Sequence, residues 1–181
     1  VVISTSSPVI AQNRYQLSGS SSMIISGGSN THDWTEEVQN MSGTATISTD
    51  GKSTFNLTQL QFKAEVKSIK STKGIIMDNK TYDALNADKH PYITFDLVNV
   101  KSITAVSGGF LLTTQGVLSI NGVQKRMDMD VKARIHSNGT ISFEGNKSLN
   151  MGDFGVEPPT AMMGAMKVKD MIRIDFKVTY Q

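Results

Sequence analysis

The feature that most constrains this chain is a strict period of two in its apolar residues. In "RMDMDVKARI", Met127, Met129, Val131, Ala133 and Ile135 fall on one side, and Asp128, Asp130, Lys132 and Arg134 on the other. "MIRIDFKVTY" near the C-terminus repeats the scheme with Ile172, Ile174, Phe176, Val178 and Tyr180. Successive side chains of a β-strand point to opposite faces, so such runs are half-buried strands with one wet face. In "STFNLTQLQFKAEV" the apolar phase runs Phe55, Leu57 and then slips to Leu60, Phe62, Ala64 and Val66. A slip of one residue turns every side chain over, so a bulge is expected near Thr58-Gln59.

Asp50-Gly51, Asn121-Gly122 and Asn138-Gly139 sit between alternating runs. These pairs supply the positive φ angles of tight hairpin turns, so sequential strands are antiparallel neighbours in a meander. Strands are expected to start near Tyr15, Met23, Gly43, Thr54, Tyr92, Gly109, Lys125 and Met171, with a shorter one around Ile141 to Phe143. Long antiparallel strands with one apolar face stack as a sandwich or close into a barrel, which removes the exposed edges. "MDNKTYDALNADKHP" breaks the pattern. Asp78 is placed as an N-cap, Ala84, Leu85 and Ala87 favour helix, and Tyr82 and Leu85 share a face. The residue before a proline is pushed out of the α region, so the helix ends before His90, and His90-Pro91 launches a strand with Ile93, Phe95 and Leu97 inward. The architecture expected is all-β, an antiparallel barrel with one short inserted helix.

The length of 181 residues suits one domain, and 38% apolar residues suffice for a core. No apolar run approaches the roughly 18 residues of a membrane helix. Lys and Arg total 18 against 16 Asp and Glu, a formal charge of +2, and the basic residues are spread along strands, so no nucleic-acid partner is expected. With no cysteine, disulfides, thiolate nucleophiles and Cys-ligated metals are excluded together. Val9 and Ala11 have the −3 and −1 spacing of a signal-peptidase site, although "VVISTSS" lacks a basic n-region. Residues 1–12 read as an N-terminal extension or signal-peptide remnant, and 13–181 as the barrel domain.

Chemistry is thinly represented. His32, His90 and His136 lie in separate segments without the close spacing of metal ligands, and no G-x-S-x-G elbow accompanies the serines. "GDFG", at Gly152 to Gly155, reads as a turn around a packed Phe154, with Asp153 a weak chemical candidate. The acid pairs Glu36-Glu37, Asp128/Asp130 and Asp170/Asp175 read as solvated surface, with no matched acid and base among them. "VEPPTAMMGAMKV" is a long loop carrying Met162, Met163 and Met166, in a chain of ten methionines. Methionine suits surfaces that accommodate varied apolar partners, so the loop either plugs one end of the barrel or rims a lipophilic cavity.

Four blocks, in order, carry a family resemblance: "SIKSTKGIIMDNKTYDALNADKHPYITF", "TQGVLSINGVQKRMDMDV", "SLNMGDFGV" and "VKDMIRIDFKV". They span most of Ser68 to Val178 and resemble the YceI family, lipocalin-like extracytoplasmic proteins also described as polyisoprenoid-binding. "STHDW" has the look of a divergent branch. Asn121 stands where the family often has histidine, and Met151 near its usual arginine before "DFG". The resemblance implies an eight-stranded antiparallel lipocalin-like barrel with an extended pore, a periplasmic or secreted location, and a partner such as an isoprenoid quinone or polyprenyl phosphate. It implies no cofactor and no enzymatic activity.

Burying each methylene of such a tail is worth ~0.8 kcal/mol, which rivals an association cost of ~4–15 kcal/mol without a convergent polar site. The strand phases nominate Phe62, Phe95, Leu97, Phe110, Leu112, Leu118, Met129, Ile174 and Phe176 as the ligand-binding lining, with Met162, Met163 and Met166 at a rim. Two alternatives stand beside this carrier. One is an enzyme on a small hydrophobic substrate with His32, His90 or His136 as base or metal ligand. The other is an envelope interaction module whose barrel is packed solid. A flat strand face is compatible with a homodimer.

Overall fold

The computed structural model describes residues 10–181. Val9 of the signal-peptidase spacing, with most of the N-terminal extension, lies outside the described residues. Twelve strands follow: β1 (Asn13–Gln16), β2 (Ser22–Ser29), β3 (Asp33–Val38), β4 (Met41–Thr49), β5 (Phe55–Glu65), β6 (Ile69–Ser71), β7 (Tyr92–Val106), β8 (Gly109–Ile120), β9 (Val123–Ile135), β10 (Ile141–Asn150), β11 (Thr160–Ala161) and β12 (Met166–Tyr180). One helix, α1 (Ile75–Ala84), is inserted between β6 and β7. All pairings are antiparallel, in the order β1-β4-β5-β7-β8-β9-β10-β12-β2-β3-β6, with β11 beside β12.

The sheet curls back on itself. β3 and β4 are separated only by Gln39 and Asn40, and β5 and β6 only by a 3-10 turn at Val66–Ser68. The β4–β5 ladder therefore resumes round the bend as β3–β6, held there by Gln39 N–H to the Ser68 carbonyl (3.2 Å) and Glu65 N–H to the Asn40 carbonyl (3.0 Å). The end of β1 is tied to the end of β12 by reciprocal bonds between Gln16 and Gln181, both 2.8 Å. The expectation of eight strands is thus corrected to twelve, because bends split long strands and because β3, β6 and β11 went unrecognised.

The expected bulge is present. Thr46 pairs with Gln59 and Ile47 with Leu57, leaving Thr58 extra, and the buried set passes from Phe55 and Leu57 to Phe62 and Ala64 across it. Asn121 (φ 51°) and Gly122 (φ 75°) form a two-residue turn between Ile120 and Val123, with both central residues at the positive φ that a primed hairpin turn requires. β9 and β12 alternate as the sequence indicates, with Val131, Ala133, Val178 and Tyr180 fully inside.

The helix starts earlier than expected, and Asp78 is not its cap. Gly74 (φ 86°) precedes the first turn, where no side chain caps the helix. Asp78 is buried and turned toward β6, accepting the Ser71 N–H (2.7 Å) and pairing with Lys70 Nζ at 3.2 Å. It pins the helix to the sheet rather than starting it. His90-Pro91 separates the helical segment from β7 as expected, and the His90 ring lies against Gly122 of the β8–β9 turn.

Candidate ligand-binding cavity

Inward side chains at the two ends of the curled sheet meet different surroundings. At one end aromatic rings close on each other: Phe55 stacks on Phe110 (centroids 5.2 Å), and Phe143 meets Phe55 and Tyr180 edge-on at 6.2 and 5.9 Å. Ile47, Leu112, Ala133 and Ile141 fill the remaining space. The Tyr180 hydroxyl donates to the Gln61 carbonyl (3.4 Å), and burial pushes its phenol well above the usual range, so it stays protonated. This end is a plug.

Above the plug the bore is not filled. A cavity of about 480 Å³, within the ~300–1,000 Å³ range of small-molecule sites, extends toward the other end. Its walls are Phe62, Ile93, Phe95, Leu97, Leu118 and Met129 on β5 and β7–β9, and Ile172, Ile174, Phe176, Met23 and Ile25 on β12 and β2. Phe143 and Tyr180 form the floor.

Glycines hold the aromatic rings against these walls. Phe95 lies across Gly116 of β8, Trp34 across its pairing partner Gly27, and Phe176 beside its partner Gly145; a Cβ at any of the three would press on the ring. With no side chain on these glycines, the rings reach over the neighbouring strand while still bordering the cavity.

Polar groups gather at the open end. Ser29, His32, Glu36, Lys73, Lys80 and Thr81 line the cavity there. Helix α1 contributes Met77, Lys80, Thr81 and Ala84, an i, i+3, i+4, i+7 face. Lys80 Nζ donates to the Thr160 carbonyl (2.8 Å), tying the helix to the β11 segment. Glu36 is only 7% exposed and accepts the Thr81 hydroxyl at 2.6 Å. Burial pushes its carboxyl above the usual range; the Thr81 bond opposes this and neighbouring Asp78 adds to it. The reading of Glu36 as solvated surface is therefore corrected: Trp34, Glu36 and Val38 are the inward set of β3, a strand the sequence reading missed.

The wall has seams where two neighbouring strand pairs part: β5 and β7 pair only from Gln61↔Asp96 to Glu65↔Tyr92, and β9 and β10 part as well. β9 and β10 pair from Ile141↔Ile135 to Gly145↔Val131 and then part, while β10 continues to Asn150 beside β12. Lys147 bridges the gap, its Nζ donating to the Asp128 carbonyl at 2.8 Å.

Of the nominated lining, Phe62, Phe95, Leu97, Leu118, Met129, Ile174 and Phe176 border the cavity, as do Met162 and Met166 at its open end. Phe110, Leu112 and Met163 do not. Phe110 and Leu112 point inward as their phase requires but lie in the plug. Met163 is fully exposed and turned away from the cavity, in a tight hairpin where β11 pairs with β12. The histidines are dispersed: His32 is at the cavity mouth, His90 before β7 with its ring against the β8–β9 turn, and His136 bonded to Ser142 Oγ (2.8 Å) near the β9–β10 turn. Among the described residues no group of His, Asp and Glu could hold a metal ion. Phe154 is packed as expected, with Gly155 left-handed after it and Asp153 paired with Lys125 on the surface at 3.4 Å.

The YceI-like domain family matches residues 15–180. The chain belongs to that family. Among solved structures this YceI-like chain resembles a polyisoprenoid-binding domain from Saccharophagus degradans (TM-score 0.70, 16% identity, covering 92% of this chain and 97% of that one). It also resembles BcnA from Burkholderia cenocepacia (TM-score 0.68, 17% identity, 88% and 95% covered). A YceI protein from Campylobacter jejuni aligns with TM-score 0.58 at 22% identity, covering 80% of this chain and 82% of its own. At these identities the likeness is one of fold. A comparison with curated protein sequences finds no match.

Proposed function

We propose that this YceI-like protein binds, stores or carries one long-chain isoprenoid, a quinone or polyprenyl phosphate, without chemistry on it, in the periplasm or outside the cell. The observation that carries the reading is the apolar cavity of about 480 Å³, floored by aromatic rings and with most of its polar side chains gathered at the open end. Ten buried methylenes at ~0.8 kcal/mol supply about 8 kcal/mol, comparable with the ~4–15 kcal/mol that association costs. A head group is then left at the polar end while the tail reaches the floor. We read the curled sheet as an eight-stave barrel. β1–β2, β3–β4 and β5–β6 each count as one broken stave, β11 stands aside, and β7 to β10 and β12 supply the other five. The ligand-contacting residues in this reading are the nine nominated side chains that border the cavity. Likeness to a polyisoprenoid-binding domain supports the cargo class.

Trp34 is the only tryptophan and borders the cavity, so its fluorescence reports occupancy. Titrating delipidated protein with a short-tailed ubiquinone should quench Trp34 saturably at one site per chain, and a saturated long-chain lipid should compete. A linear, non-saturable quench equal to that of free tryptophan would refute the carrier reading.

A further inference from the structure

The rim of the cavity carries large apolar side chains that no other described residue covers. Ile75 and Ile76, in the first turn of α1, are 62% and 72% exposed. Met162 is 76% exposed and Met163 fully so. The two segments belong to one end of the molecule. Lys80 of α1 is bonded to Thr160, two residues before Met162, and Lys73, Met77 and Met162 all border the same opening. Both methionines are held at positive φ, 54° and 56°, a conformation that costs a non-glycine residue energy. The chain spends that strain on a turn that leaves both side chains in water. Isolated exposed apolar residues need no explanation, but four large ones around the mouth of an apolar cavity do.

The same rim is cationic. Lys73 and Lys80 border the opening and Lys167 stands opposite Thr160 on β12, whereas the one carboxylate bordering it, Glu36, is buried and bonded to Thr81. Among exposed carboxylates, Asp33 lies between the lining residues His32 and Trp34, and Asp83 and Glu157 line a shallow groove that shares Lys80 with the rim, so cations outnumber them at the opening itself. Apolar tips flanked by lysines are the chemistry of a surface that inserts shallowly between acyl chains while its cations meet lipid phosphates.

We propose that the Ile75-Ile76 and Met162-Met163 rim docks this protein on an anionic phospholipid bilayer, with the cavity mouth facing the membrane. A long-chain lipid then passes between bilayer and cavity without crossing water. The docking goes beyond the cargo reading and is tested apart from it.

The experiment is flotation of the full chain with vesicles of mixed phosphatidylglycerol and phosphatidylethanolamine, for wild type and for the triple variant I75S/I76S/M163S. None of these three residues borders the cavity. Wild type should float with the vesicles, less so as salt is raised and not with phosphatidylcholine alone. The variant should bind at least ~10-fold more weakly, equivalent to ~1.4 kcal/mol, with unchanged melting temperature and unchanged Trp34 quenching by quinone. Equal flotation of the two proteins, or none by wild type, overturns the proposal. A dimer in solution that the variant abolishes, with no vesicle binding, assigns the rim to a second copy of this chain and also overturns it. Loss of quinone quenching in wild type with vesicle binding intact would sink the cargo reading and leave the docking surface standing.

Discussion

A glycine opposite a ring and a carboxyl under a helix decide most of what this cavity can do. Gly116 makes room for the Phe95 ring; an alanine there would force the ring or the Asp96 carbonyl to move. G116A should therefore destabilise the protein by ~1–3 kcal/mol through overpacking, read from denaturant midpoints, and should lower quinone capacity as Phe95 turns into the lumen. Unchanged stability would mean that the ring is not held where described. Glu36 gives a second test. Its proton is bound more tightly in the folded state than in the unfolded one, so below the ordinary Glu range both states hold it and no stability depends on it. As pH rises through the elevated folded value, the native protein must ionise a buried carboxyl and loses stability. E36Q should thus gain stability relative to wild type from acidic toward neutral pH, and parallel pH profiles would contradict this. The sequence hid Glu36 because "GGSNTHD" before it reads as loop, and two adjacent carboxylates read as surface. The inward alternation of Trp34, Glu36 and Val38 was nonetheless available in it.

At the scale of elements, the long strands and hairpins were legible because periodicity and turn chemistry are local. What periodicity does not report is depth along the bore. Phe95 and Phe110 are both inward, yet one meets empty space and the other meets Phe55, a neighbour set by distant pairing. L112A, in the plug, should cost ~2–5 kcal/mol in thermal or denaturant unfolding while leaving quinone stoichiometry intact. The short strands were missed for different reasons: β6 and β11, of three and two residues, are too brief to show a period, and β6 is fixed by the remote β3, whereas β3 carries its period on a buried carboxylate that reads as surface. The β9–β10 seam is likewise a tertiary feature. Lys147 bridges it with one hydrogen bond at a partly open edge, so K147A should change stability by no more than ~1 kcal/mol. It should speed release of a bound quinone several-fold in stopped-flow chase experiments. An unchanged off-rate would show that ligands do not leave through this seam.

The whole molecule is a curled sheet sealed at one end by aromatic packing and left open at the other beside a helix. Family membership was readable in the order and spacing of the four sequence blocks, since the hairpin and the "DFG" turn are fixed by local geometry. An open bore was not readable, because the same apolar residues can fill a barrel or line one. Asp78 and Glu36 tether α1 to the sheet beside the mouth. The most direct measurement is native mass spectrometry of the protein purified from its own host, followed by organic extraction and identification of whatever is bound. One equivalent of a species in an isoprenoid mass series, lost on extraction and restored on adding it back, is the expected result. Protein that comes out clean and takes up no isoprenoid lipid when offered one would contradict the carrier function.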